Sequence, residues 1–217
     1  SHPHDVSSSE VVWVTYDTPV DDNDHADTEF VIKEVSKLFP VLKANSQVLI
    51  SSQLPAGSTM KLQKAYQESY PSKRVSFGYS PENLRLGKAI DVFMYPERVI
   101  VGIQSEQDKM RILALFEGIS NNVIFMSVPS AEMTKHALNA FLATSVVFIN
   151  ELSSLCEQVG ADASEVERGL KSEGRIGEKA YLRPGNAFAG GTLARDVSYL
   201  INFGKVFDRP AGLFSEI

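Results

Sequence analysis

Cysteine is almost missing from this chain: Cys156 is the only one in 217 residues, so no disulfide framework can hold the fold. An excess of basic residues is missing too. Lys and Arg number 21 against 27 Asp and Glu, the formal net charge is -6, and no long basic run could follow a phosphate backbone, which excludes nucleic acid as the main partner. The most apolar stretch, Ala140 to Ile149, is about ten residues and contains Thr144 and Ser145, against the ~20 that cross a bilayer, so no membrane span is expected. No basic segment followed by an apolar one opens the chain, and the cytoplasm is the expected location. No His, Cys and Asp cluster has metal-site spacing, and no internal repeat or low-complexity tract occurs. What is present, 43% hydrophobic and 22% charged residues, is the composition of a soluble globular chain with one large or two small domains.

The first part alternates its patterns. Val11-Val-Trp-Val-Thr-Tyr16 is a β-branched and aromatic run ending in Asp17-Thr-Pro19, as a buried strand entering a loop does. From Asp27 to Ala44 the apolar residues Phe30, Val31, Val35, Leu38, Phe39 and Leu42 recur at helical spacing. Val48 to Ser51 then reads as a strand, Ser58 to Ser69 as a helix, Arg74 to Tyr79 and Val99 to Val101 as strands, Glu106 to Gly118 as a helix and Val123 to Met126 as a strand. Such alternation predicts a mainly parallel sheet with helices on its faces.

At Pro129 the pattern changes. No Gly or Pro interrupts Ser130 to Val159, whose apolar residues predict one long helix stopped at Gly160. Asp162 with Glu165 suggests a capping box opening a helix to about Leu170, and a glycine-rich loop leads into a helix beginning near Thr192. The boundary is placed between an α/β part, 1–128, and an all-helical part, 129–217.

Several separated strings resemble the UDP-glucose and GDP-mannose dehydrogenases, in their order. They are Trp13-Val-Thr-Tyr-Asp-Thr-Pro19, Ser80-Pro-Glu-Asn-Leu-Arg85, Tyr95-Pro-Glu-Arg-Val-Ile-Val-Gly102, Glu132-Met-Thr-Lys-His-Ala-Leu-Asn-Ala-Phe141, Asn150-Glu151, Arg175-Ile-Gly177 and the loop Tyr181 to Asp196. The resemblance implies NAD-dependent oxidation of a sugar-nucleotide hydroxymethyl group to a carboxylate. It also implies a partial Rossmann-like parallel sheet followed by an all-helical dimerisation domain, with a homodimer formed through helix 130–159 and a nucleotide sugar as partner. The family's G-x-G-x-x-G turn occurs nowhere in the chain, so weak or absent NAD binding is expected for these residues alone. The chain is expected to be part of a longer product, lacking the glycine-rich half and a C-terminal nucleotide domain.

Lys135 and Asn139 lie four apart and share a helix face, where a cation and an amide donor could stabilise a developing alkoxide. By chemistry alone a snorkelling lysine and a satisfied polar residue fit better, and the resemblance turns the balance to the catalytic roles. It likewise makes Glu82 a carboxylate that handles the hydrolytic water and touches the cofactor. Asp196 falls near the nucleophile's water, while Thr18, Pro19 and Arg195 fall toward the cofactor and Arg175, Phe188 and Gly190 toward the substrate. His136 reads as a polar helix residue, and Cys156 as a small core residue.

The departures concern the chemistry itself. In Phe188-Ala-Gly-Gly-Thr-Leu-Ala-Arg-Asp196, Thr192 stands where the family has its catalytic cysteine, and the loop offers no histidine to activate a hydroxyl. Gln53 replaces a threonine near the water, Leu86 replaces a second glutamate, and Arg195 replaces a lysine. Two expectations follow: a nucleotide-sugar dehydrogenase homologue, or a catalytically decayed module that still dimerises and holds a nucleotide sugar.

Overall fold

The structure, a computed structural model, describes residues 3–21, 26–82, 84, 87–188 and 191–217. It divides into two compact units, Ser1–Lys135 and His136–Ile217.

The first unit is built on a five-stranded sheet of β1 (Val11–Val14), β2 (Gln47–Ile50), β3 (Ser76–Tyr79), β4 (Val99–Ile103) and β5 (Val123–Ser127), in that spatial order. Alternation in β1 sends Val12 and Val14 to one face and Val11 and Trp13 to the other. β2 is buried at every position because both faces of the sheet are covered, which is why Val48-Leu-Ile reads as a continuous apolar run. On one face lie α1 (Thr28–Ser36) and α2 (Ser58–Ser69), through Val31, Val35, Leu62 and Tyr66; on the other lies α4 (Glu106–Leu115), through Ile112, with Phe116 just past its end.

The α1 helix is shorter than its apolar spacing predicts. Asp27 caps it by accepting from Phe30 N at 3.0 Å, but Pro40 carries no N–H and its ring would strike the carbonyl four residues back, so the helix gives way to a 3-10 turn at Phe39–Val41. The sheet is parallel except where β3 meets β4, joined antiparallel at Tyr79 and Gly102. An antiparallel neighbour starts at the end where β3 stops, so the connection need not cross the sheet. That connection holds α3 (Ala89–Met94), a helix the sequence reading does not anticipate and in which no residue is buried.

The helix α5 (Val128–Val159) leaves β5 directly. Its first turns pack Val128 and Ala131 against the sheet, and a side chain at Gly102 would strike Val128 Cα at 2.6 Å, so glycine is required in β4 for this approach. Gly160 ends the helix with φ 71, and Ala161 N donates to Cys156 O at 2.9 Å as the left-handed cap demands.

The second unit combines the rest of α5 with α6 (Ala163–Ser172), α7 (Gly191–Val206) and α8 (Gly212–Ser215). Ala140, Ala143 and Val197 form its small core, with Phe188, Leu193, Leu200 and Phe214 against them. Asp162 caps α6, accepting from Ser164 N at 2.8 Å. Among the described residues α5 has the length and apolar composition to cross a bilayer, more than the short run counted from the sequence. Yet it also carries Glu132, Lys135, His136 and Asn139, all buried with hydrogen-bond partners within the protein.

Candidate functional site

In the first unit the polar loops gather where β1, β2 and β3 end, the side of an α/β sheet on which ligands are received. Hydroxyls tie these loops together. Trp13 Nε1 donates to Ser51 Oγ at 2.8 Å, Ser51 Oγ donates to Ser80 O at 2.7 Å, and Ser80 Oγ donates to Ile100 O at 3.0 Å. Ser52 Oγ donates to Tyr16 O at 2.6 Å, and Thr18 Oγ1 to Gln53 O at 2.8 Å. Thr18, expected toward a cofactor, is therefore buried and clasps the neighbouring loop, whereas Pro19 is exposed and its carbonyl accepts from Asp27 N. The three serines were not among the expected site residues; small hydroxyls directly after strands are the signal that points to them.

Lys135 is only 7% exposed, and its Nζ donates to Glu82 O at 2.7 Å. It thus meets the backbone of Glu82. The Glu82 carboxylate is exposed and turns into its own loop, accepting from Leu84 N at 2.9 Å. One turn earlier on α5, Glu132 is fully buried: Oε2 accepts from Gly57 N at 2.6 Å and Oε1 from Thr59 N at 2.9 Å. Gly57 occupies the N-cap of α2 with φ 90 and has no side chain to cap it, so Glu132 supplies the cap from a distant helix. Leu86 lies outside the described residues.

In the second unit His136, Asn139 and Asp196 come together. Nδ1 of His136 lies 2.6 Å from Asp196 Oδ1, Asn139 Nδ2 donates to Asp196 Oδ2, and Asp196 is 0% exposed. The Asn139 amide, expected to face a substrate oxygen, gives one of its hydrogens to Asp196. The ring of Tyr199 meets His136 edge to face at 5.3 Å. Burial pushes the Tyr199 hydroxyl above its ordinary pKa; the Arg195 charge opposes that shift and Asp196 adds to it. Thr192, exposed in the first turn of α7, and half-buried Arg195 share that helix with Asp196. Phe188 packs on the small core around Ala140, Ala143 and Val197. Gly190 lies outside the described residues. Arg175 stands apart from this group: it is exposed, its Nε donates to Glu173 Oε1 at 3.0 Å, and these bonds hold the Glu173 carboxyl below its usual range.

For a dinucleotide, the described residues provide the loop after β1, while the G-x-G-x-x-G string that would grip a pyrophosphate is not in the sequence, so the residues present do not complete such a site.

A mostly parallel sheet with polar loops at its strand ends, continued by one long helix into a helical unit, is a Rossmann-like α/β part followed by an all-helical one. Family models agree in both parts: the NAD binding domain of the UDP-glucose/GDP-mannose dehydrogenase family matches residues 1–120, and the central domain of that family matches 129–217. The chain belongs to the UDP-glucose/GDP-mannose dehydrogenase family. It is 31% identical over 214 residues to UDP-glucose 6-dehydrogenase of Rhizobium meliloti (strain 1021), covering 96% of this chain and 49% of that one. To UDP-glucose 6-dehydrogenase TuaD of Bacillus subtilis (strain 168) it is 32% identical over 217 residues, covering 99% of this chain and 47% of the relative. Its fold matches that of a UDP-glucose dehydrogenase from Pyrobaculum islandicum with TM-score 0.88 at 24% identity, over 99% of this chain and 51% of the other. The chain spans about half the length of the curated relatives it matches.

Proposed function

We propose that this chain is the portion of a nucleotide-sugar dehydrogenase that carries the alcohol-handling residues, in an NAD-dependent oxidation of a UDP- or GDP-sugar hydroxymethyl group for polysaccharide precursors. The observation that carries this reading is Lys135: a buried ammonium held by Glu82 O at the end of β3. A desolvated cation fixed by a backbone carbonyl at the ligand side of a sheet is placed to stabilise a developing alkoxide, and its proton can pass to or from that oxygen. NAD, where bound, would supply the hydride acceptor. Thr18, Pro19, Glu82 and Arg195 belong to the cofactor side of this reading, Arg175, Phe188 and Gly190 to the substrate side, and Thr192 holds the nucleophile's position. The part boundary at 128 and 129 and a cytoplasmic setting belong to the same reading.

Calorimetry with UDP-glucose and GDP-mannose, each against the protein and its Lys135→Met variant, tests it. Binding of either sugar nucleotide that weakens about tenfold or more in the variant is expected, and no binding of either by the wild type counts against the reading. NAD alone should bind this chain weakly, with a dissociation constant well above the low micromolar range, because the pyrophosphate grip is missing from its residues. A tight NAD isotherm would contradict that.

A second reading, a module that dimerises and holds a nucleotide sugar without oxidising it, is favoured by the exposed Thr192 hydroxyl and by an Asp196 whose two oxygens are already engaged. Both readings include a homodimer through α5. Phe141, Phe148 and Leu155 recur at seven-residue spacing and are 68%, 48% and 64% exposed, a line of large apolar side chains along one helix face. A second copy of this face is its proposed partner, which makes α5 an interface helix rather than a membrane one. Phe141→Glu should therefore convert a dimer to a 23.9 kDa monomer in sedimentation at micromolar concentration. A wild-type protein that is already monomeric there would sink the dimer.

A further inference from the structure

The reading proposed above gives His136 no task, although its ring is buried and faces a carboxylate which that reading uses. A fully buried carboxylate is costly unless donors reach its oxygens. Asp196 meets that demand from one helix, with Asn139 Nδ2 donating to Oδ2 and His136 Nδ1 facing Oδ1. His136 and Asn139 lie three apart on α5, and Asp196 and Tyr199 lie three apart on α7, so one face of each helix carries these four residues.

The position of one proton decides what this group does. The amide nitrogen of Asn139 can only donate, which makes Oδ2 an acceptor, and a contact of 2.6 Å between Nδ1 and Oδ1 is attractive only with a proton between them. With Oδ2 already accepting from Asn139, an imidazole N–H directed at Oδ1 gives both oxygens of the buried carboxylate a donor. The proton therefore belongs to Nδ1. The Tyr199 ring, packed against the imidazole at 82°, restrains the ring plane in which that N–H points.

We propose that His136 is a positioning residue whose Nδ1–H, acting with the Asn139 amide, holds the Asp196 carboxylate in a single orientation on α7, one turn beyond Thr192. The placement of Asp196 in the reaction rests on the proposed function; the proton and the orientation do not. A ring that merely filled space would make no use of its N–H.

Two substitutions separate these roles. His136→Phe keeps an aromatic ring and loses the donor, whereas His136→Asn loses the ring but presents an amide N–H close to where Nδ1 stands. The side-chain amide protons of Asn139, shifted downfield by Asp196 Oδ2, report the carboxylate's orientation by heteronuclear NMR of the full chain. The expected result is that this shift is kept in His136→Asn and lost in His136→Phe. In the wild type, histidine-labelled protein should show His136 Nδ1 protonated, with a low-field proton attached to it. The opposite pattern in the variants, or the same response in both, would overturn the positioning role, as would a wild-type Nδ1 without a proton. Should a variant fail to fold, the wild-type spectrum still decides. Failure of the nucleotide-sugar reading would appear in the calorimetry and leave these spectra unchanged.

Discussion

Replacing Glu132 with alanine is expected to lower the unfolding free energy by about 4 kcal/mol, because a buried and a partly buried backbone N–H lose their acceptor at once and the carboxylate that fills the site is gone. Gly57 N and Thr59 N sit at the start of α2, where a helix has orphan donors and a partial positive charge, and Glu132 meets both with one carboxylate. Glutamine fits the same space but turns an amide nitrogen toward a donor, so Glu132→Gln should cost about 2 kcal/mol. Glu151, on the same helix and exposed, is the control: Glu151→Gln should stay within about 0.5 kcal/mol. Urea unfolding at one fixed protein concentration measures all three, since coupled assembly would otherwise enter the result. Equal midpoints for Glu132→Ala and Glu151→Gln would mean that water replaces the carboxylate at no cost.

That carboxylate shows where sequence reasoning stops. The motif Glu132-Met-Thr-Lys-His-Ala-Leu-Asn-Ala-Phe141 was legible as helical, and the spacing of Lys135 and Asn139 as one face, because helix period is a local property. The partner of Glu132 lies over 70 residues away, and no local pattern couples an acid on α5 to a glycine cap on α2. His136 was equally hidden. A histidine among apolar residues reads the same whether it faces solvent or a buried aspartate, and Asp196 lies 60 residues further on. Strands β1 and β2 and α5 from Ser130 onward could be read because burial on both faces or a long run free of Gly and Pro leaves a strong trace. The antiparallel turn from β3 to β4 could not, since it depends on a connection whose helix buries nothing, and the early end of α1 required giving Pro40 more weight than the apolar spacing around it.

With NAD and either UDP-glucose or GDP-mannose, the complete natural protein is expected to form uronic acid slower than a cysteine-bearing relative by roughly three orders of magnitude or more. The proposed alignment puts Thr192 where a thiolate captures the aldehyde, and a thiol ionises at about 8.5 whereas an alcohol does not ionise near neutral pH. Thr192 is exposed in the first turn of α7, and Asp196, one turn on, is fully buried with oxygens held by His136 and Asn139. A carboxylate committed in this way is a poor base for a threonine hydroxyl. Thr192→Cys should recover only part of the acid-forming rate, since the same proposed alignment puts Gln53 and Leu86 in the place of water-handling residues and groups that act as one unit do not add independently. Mass spectrometry of the acid beside NADH absorbance separates the steps. NADH formed without acid marks oxidation halted at the aldehyde, and no NADH at all marks the module that only binds. Acid formed by the unmodified protein at a relative's rate would show that the hydroxyl is no handicap or that the loop alignment is displaced by a residue.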